Sequence, residues 1–235
     1  MAYSKITLEL PDIKKSFGIG NNSYSNSSVK FQNVKMIQQI DKNYGKLFSY
    51  WGGIFDIPKG ILIGFCATES GGTMVKPNRY KATGLMQVTP SAIFECATKW
   101  RNEVSTPLPI EATNILNAKV PTLLNGGTLS SLEGTLLNLL TNDANFNIMS
   151  GSLVLRWLLE RFSTFLSGGQ LNKVMVAYNA GAYTRALGGA KANKMPIDST
   201  TLSQNSLVPK ESKGYLIKML GIDGFLALIY KDKVI

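Results

Sequence analysis

The chain contains no histidine. That excludes Ser-His-Asp and Cys-His nucleophilic catalysis and the common zinc sites, all of which need an imidazole. Cysteine is scarce: Cys66 and Cys96 are the only two, and neither belongs to a C-x-x-C pair. Both stand in apolar, helix-like runs, the setting of buried thiols rather than of a disulfide or a nucleophile. Neither a metal nor a cofactor is expected. Long apolar runs are also missing, since none reaches the ~18 residues that span a bilayer. The first residues, MAYSKITLELPDIKKSFGIGNNSYSNSS, lack the charged start and apolar stretch of a secretory signal. The expectation is a protein without a transmembrane segment, made in the cytoplasm and delivered by other means if its substrate lies elsewhere. Acidic residues are the minority, 15 against 25 Lys and Arg, a formal net charge of +10. Such a balance favours polyanionic partners: nucleic acid, an acidic membrane surface or an anionic cell wall. The basic residues are spread along the chain without a Lys/Arg block, which argues against nucleic acid.

What is present suits a mainly α fold. At 235 residues, 44% of them apolar, the chain can build one sizeable core. Val34 to Tyr50 carries apolar residues at helical intervals. Pro58 opens a second helix through Ile61, Leu62, Ile63, Phe65 and Cys66 to Glu69, and Gly71-Gly72 stops it. A third helix runs from Pro90 to about Trp100. Residues 101–145 read as loops with one or two short helices. Met149 to Leu166 is an amphipathic helix with Met149, Leu153, Val154, Trp157, Leu158, Phe162, Phe165 and Leu166 on one face. Short helices follow at Leu171 to Tyr178 and Ser212 to Leu220. Gly18 to Ser28 and Gly181 to Leu207 read as loops.

One carboxylate stands out. Glu69 ends a helix, ILIGFCAT, that is apolar nearly all round and therefore expected to be buried. The negative end of the helix dipole and burial both push a carboxyl pKa upward. A raised pKa is what a general acid needs near neutral pH. A solvated glutamate at a frayed helix end is the plainer alternative. The next acidic residue is Glu95, twenty-six positions on. Glycosidases ordinarily use two carboxylates, about 5–5.5 Å or 6.5–9.5 Å apart. A site built on Glu69 would take its nucleophile from elsewhere, unless a distant acid such as Asp143 supplies it.

Three motifs now converge. Glu69-Ser70-Gly71, then Gly84-Leu85-Met86-Gln87, then Ala177-Tyr178-Asn179-Ala180-Gly181 resemble the signature of the soluble lytic transglycosylases. Asn147-Ile148 with Gly151-Ser152-Leu153 and Leu158-Leu159-Glu160-Arg161-Phe162 is similar to that family's central helix. Pro209-Lys210-Glu211 followed by Tyr215 is similar to its closing element. The resemblance spans about Ile54 to Leu220 and implies a lysozyme-like (goose-type) domain over residues 51–221. It leaves an N-terminal extension over 1–50, an insertion over 101–145 and a tail over 222–235. It further implies cleavage of the MurNAc-β-1,4-GlcNAc bond of peptidoglycan glycan strands, leaving 1,6-anhydro ends. Glu69 would be the sole catalytic acid and then base, with the sugar's 2-acetamido oxygen as nucleophile. Ser70, Met86 and Gln87 would lie in the sugar groove, and Tyr178 beside the glutamate and the N-acetyl group. Asn179 would hold its loop through the backbone, and Tyr215 would line the cleft or pack under the last helix.

There are departures from the family pattern. Asn78 stands where a serine is frequent, nine residues before Gln87, and is kept as a groove candidate. Thr89-Pro90 replaces Met-Pro, and Thr83 occupies a small-residue position. Residues 1–50 match nothing in the family and are candidates for binding partners such as other virion or secretion-apparatus proteins. The lack of further acids between Glu69 and Glu95 favours the transglycosylase over a hydrolytic muramidase. A catalytically idle wall-binding or structural protein is the alternative from another class. A bacteriophage virion component acting at the bacterial wall fits the missing signal, as does an endolysin.

Overall fold

The computed structural model describes residues 27–104, 106–163, 170–181 and 208–235. Nine helices are found there: α1 (Ser27–Phe55), α2 (Lys59–Ser70), α3 (Pro90–Glu103), α4 (Ile110–Lys119), α5 (Leu129–Asn142), α6 (Ala144–Ser163), α7 (Gln170–Ala180), α8 (Lys210–Leu220) and α9 (Phe225–Tyr230). Helix accounts for 72% of the described residues, with no strand among them. The mainly α class expected from the sequence is therefore correct. No helix among the described residues is long and apolar enough to cross a membrane.

Proline marks where helices begin. Pro58, Pro109 and Pro209 immediately precede α2, α4 and α8, with φ of -53, -52 and -54° and extended ψ. Pro90 is the first residue of α3, capped by Thr89, whose hydroxyl accepts from Ala92 N at 3.1 Å. The fixed φ and missing N–H are tolerated at all these positions because the first helical turn has no intrahelical acceptor for its N–H groups. Pro58 thus stands one residue outside the helix it was expected to open.

The chain divides into two compact units. The first comprises residues 40–157. Its core includes Phe48, Trp51, Phe55, Ile61, Leu62, Ile63, Phe65, Ile93, Trp100, Leu116, Leu136, Leu140 and Phe146, all at most 1% exposed. Trp51, Phe55 and Trp100 pack ring against ring, with centroids 6.1 and 6.3 Å apart. Each such side chain contributes roughly 1.5–3 kcal/mol by leaving water. Trp51 Nε1 donates to Asn145 Oδ1 at 2.8 Å, tying α1 to the start of α6. α3 packs on α5.

The second unit comprises, among the described residues, 27–39 and 158–235. α8 packs on both α7 and α9. Val174, Met175, Val176, Leu216, Met219, Leu220, Leu226 and Leu228 are fully buried. Asn33 Nδ2 donates to Asp223 O at 3.0 Å, and Lys30 pairs with Asp232 at 2.5 Å, so the first turns of α1 belong here.

Several boundaries correct the sequence reading. α1 begins at Ser27, inside the expected loop, and runs on past residue 50 to Phe55. Residues 101–145 do hold two short helices, within the one or two expected there, of 10 and 14 residues, the second with a capping box between Thr128 and Ser131. α6 begins at Ala144, five residues early, because Asp143 caps it: Asp143 Oδ1 accepts from Phe146 N at 2.9 Å. It is also not amphipathic in the environment it finds. Every residue from Phe146 to Glu160 is buried, including Ser150, Ser152, Arg156 and Glu160. The apolar tail holds α9, five of whose six residues are buried. The expected positions of Phe165, Leu166 and residues 182–207 lie outside the described residues.

Candidate active site

α2 is the rod on which the candidate acid is carried. Gly60 to Ala67 are all buried, as an all-round apolar helix requires. Thr68, Glu69 and Ser70 then emerge to partial exposure. Gly71 closes the helix in the left-handed conformation, φ 63°, its N–H bonded to Ala67 O at 3.2 Å. Glu69 therefore sits at the penultimate position of a helix whose preceding two turns are locked in the core. The helix end is thereby anchored, while Glu69 itself stays partly exposed.

Ser70 spends its hydroxyl locally. It donates to Cys66 O at 3.2 Å and accepts from Gly72 N at 3.1 Å. Its place is in finishing the helix rather than in offering a free hydroxyl to a sugar. Cys66 lies one turn back, and burial pushes its thiol up to about 12. Hydrogen bonds from Ser70 and Gly72 oppose that rise, while the charge of Glu69 adds to it. Burial likewise raises the Cys96 thiol, and both cysteines are free. The expectation of two buried thiols holds.

From Thr73 the chain leaves as a loop and returns on itself. The Val75 carbonyl accepts from Gly84 N at 2.8 Å and from Thr83 Oγ1 at 2.9 Å. Thr83 and Val88 form an antiparallel bridge. Asn78 organises the tip: its Oδ1 accepts from Tyr80 N at 2.8 Å and Ala82 N at 3.1 Å. The side-chain oxygen of Asn78 thus forms the turn.

The Gly84–Gln87 turn is gripped from behind by α6. Asn147 is fully buried; its Oδ1 accepts from Met86 N at 2.8 Å, and its Nδ2 donates to Thr83 O at 3.0 Å and Leu140 O at 2.9 Å. Gly84 has φ 76°, and a Cβ there would collide with the Asn147 amide and stand 2.6 Å from Leu140 O. Only glycine satisfies both the conformation and the approach. One turn along, Gly151 receives Met86: a Cβ on Gly151 would lie 2.6 Å from the Met86 Cβ. Met86 is fully buried. Its side chain holds the turn against α6, which corrects the expectation that it faces sugar.

Gln87 is different. It is partly exposed and held at φ 47°, a left-handed backbone rare for a residue with a Cβ. Its Nε2 donates to Gly84 O at 2.9 Å, which fixes the side chain. Oε1 has no acceptor role among the described residues. Strain of this kind, of order 1–3 kcal/mol, persists only where surrounding structure enforces it, and it clusters at functional sites.

Glu95, the next acid after Glu69, and Asp143 are both committed elsewhere. Glu95 pairs with Lys99 at 2.6 Å along α3. Asp143 gives Oδ2 to Lys119 at 2.6 Å and Oδ1 to Phe146 N. Burial alone would raise the Asp143 carboxyl, but its hydrogen bonds from Lys119, Phe146 and Asn145 and the Lys119 charge hold it below its ordinary value. Asp143 thus caps α6 and pairs with Lys119. No group of three or more metal-ligating side chains occurs among the described residues.

In the second unit, Tyr178 is half-buried in the last turn of α7. Gly181 follows that helix with φ 92°, its N–H on Ala177 O at 2.8 Å. Asn179, within α7, accepts at Oδ1 from the fully buried Ser212 Oγ at 2.6 Å, so the residue ties α7 to α8 through side chains. Tyr215, three residues past Ser212, is buried. Sequence reading missed Asn147 and Ser212 as supports, although both leave a signal: a short polar residue set inside an otherwise apolar helical row. No protein-family model and no curated protein sequence matches the chain.

Proposed function

We propose that the chain is a peptidoglycan lytic transglycosylase that cleaves the MurNAc-β-1,4-GlcNAc bond and leaves 1,6-anhydro-MurNAc ends. The observation that carries this reading is the joining of motif elements far apart in sequence. Asn147 and Gly151 of the central helix clamp the Gly84–Gln87 turn, and that turn ends the loop that leaves the helix carrying Glu69. In the second unit the Tyr178-Asn179 element is bonded to the Pro209–Tyr215 element through Ser212. Within each unit, elements that resemble the family are bonded to one another.

In the proposed mechanism Glu69 starts protonated and gives its proton to the glycosidic oxygen as the C1–O bond breaks. The acetamido oxygen of the same sugar attacks C1 and closes a five-membered oxazolinium ring. The Glu69 carboxylate then takes the proton of the 6-hydroxyl, whose oxygen attacks C1 and expels the acetamido oxygen. Glu69 ends protonated, and no water is consumed. Such substrate assistance is a known exception to two-carboxylate chemistry. It suits a segment in which Glu95 and Asp143 are already paired with lysines. Gln87 offers Oε1 to a sugar hydroxyl or N-acetyl N–H, its amide nitrogen being anchored.

Digestion of purified peptidoglycan, followed by mass analysis of the fragments, tests the proposal. Anhydro ends that disappear in Glu69→Gln are expected. New reducing ends would identify a hydrolytic muramidase. Release of no fragment by the folded protein would point to an idle wall-binding protein. Packaging in a phage particle belongs to the same reading, and mass spectrometry of purified particles tests it: absence of the chain would refute it.

A further inference from the structure

We propose that the loop from Lys76 to Lys81 docks the carboxylates of the peptide stems carried by the strand being cut, an inference that rests on the transglycosylase reading. Val75 and Lys76 to Lys81 are exposed without a break. The loop presents three cations and one aromatic ring in six residues, KPNRYK, inside a stretch with no acid between Glu69 and Glu95. Tyr80 is 68% exposed, the most exposed large apolar side chain among the described residues. The Arg79 guanidinium stands over its ring, 4.6 Å from the centroid.

This surface is built, not merely left over. Asn78 accepts from two backbone N–H groups of the tip and closes it with Asn78 N to Ala82 O at 3.0 Å and Lys81 N to Asn78 O at 2.9 Å. Lys81 takes a left-handed backbone, φ 64°, and its ammonium pairs with Glu133 at 2.5 Å, which straps the loop to α5. The pair neutralises Lys81 and leaves Lys76 and Arg79 with no carboxylate partner among the described residues. A preorganised loop that holds two uncompensated cations beside an open aromatic face is complementary to a carboxylate on an apolar stem. Chain connectivity favours the stem over other anions. The loop joins the helix carrying Glu69 to the turn carrying Gln87, so a glycan held by these two residues brings its own stem carboxylates with it.

The test measures co-sedimentation with insoluble wall, in a Glu69→Gln background so that the wall persists. Two walls are compared: one with stems intact, one stripped of stems by an amidase, both freed of phosphate polymers. The variant Arg79→Ala/Tyr80→Ala should weaken binding to intact wall by roughly fivefold to tenfold, the size expected for one or two exposed charge and ring contacts. On stripped wall the two proteins should bind alike. Arg79→Lys should recover part of the loss and Arg79→Glu should deepen it. Equal binding of both proteins to intact wall would overturn the proposal, as would equal losses on both walls. A third preparation, intact wall with its phosphate polymers left on, completes the test: a loss seen only there would also overturn the proposal and assign the loop to those polymers. Binding is read without cleavage, so a failure of the anhydro-end assay would refute the catalytic reading and leave this result standing.

Discussion

The Asn147 side chain holds the backbone of Met86: its Oδ1 accepts from Met86 N at 2.8 Å, and the same amide gives both its protons to carbonyls, of Thr83 and Leu140. A single buried residue thereby connects α5, α6 and the turn that presents Gln87. Replacing it with Ala would leave one N–H and two carbonyls short of a partner, at about 1–3 kcal/mol for each unsatisfied group. Asn147→Ala is expected to lose about 3 kcal/mol or more, read as a lower denaturation midpoint at unchanged slope in urea.

Gly84→Ala should lose roughly 3 kcal/mol as well, and for a different reason. The added Cβ meets both an unfavourable φ and the Leu140 carbonyl at 2.6 Å. Because the Asn147 amide is also in its way, the two substitutions should not add. A double variant no worse than Gly84→Ala alone would show that coupling; strictly additive losses would refute it.

The Asn179–Ser212 hydrogen bond offers a second coupling test. It is short, 2.6 Å, and the hydroxyl is fully buried. A double-mutant cycle with Asn179→Ala and Ser212→Ala should return about 1 kcal/mol of interaction. A value near zero would mean that the two residues act separately.

Stability should fall at acidic pH through Asp143. Its carboxyl is held below its ordinary value by Lys119 and by the N-terminal N–H groups of α6, against the opposing effect of burial. A depressed folded-state pKa gives stabilisation that is present above the unfolded value and is lost as pH falls through the folded one. Between pH 6 and about pH 3 the wild type should therefore lose more stability than Asp143→Asn, which has no such proton to take up. Parallel pH profiles in thermal melts would refute the assignment.

Both cysteines should resist thiol reagents in the native state. Burial pushes Cys66 to about 12 and Cys96 upward, so thiolate is scarce at pH 8, and neither sulfur is accessible. Alkylation at pH 8 should label neither within minutes, and both after denaturation. Rapid native labelling of Cys66 would show that the end of α2 opens.

The helices that position Glu69 and Gln87 were legible where local chemistry dominates. ILIGFCAT is apolar on every side, and a helix of that kind has nowhere to go but the core. Gly71 and Pro90 mark ends through φ alone. Legibility failed where two helices meet without a connecting loop. α5 ends at Asn142 and α6 starts at Ala144, and the single residue between them, Asp143, leaves no compositional trace. It failed again at α9, whose six residues are too few to display a 3.6-residue period.

Taken alone, the sequence determined the helical class, the placement of one glutamate at a glycine-closed helix end, and the lack of any acid in the segment that follows it. These rest on backbone conformation and on local polarity, which a residue carries wherever it goes. Only the tertiary structure decided what each polar side chain is used for. Met86 is packed away behind Gly151, Asn78 and Ser70 hold turns, and Asp143 caps a helix, while Gln87 keeps an oxygen to offer. A hydrogen bond is satisfied by whichever partner the fold brings within 3 Å or so, and that partner is commonly far away along the chain.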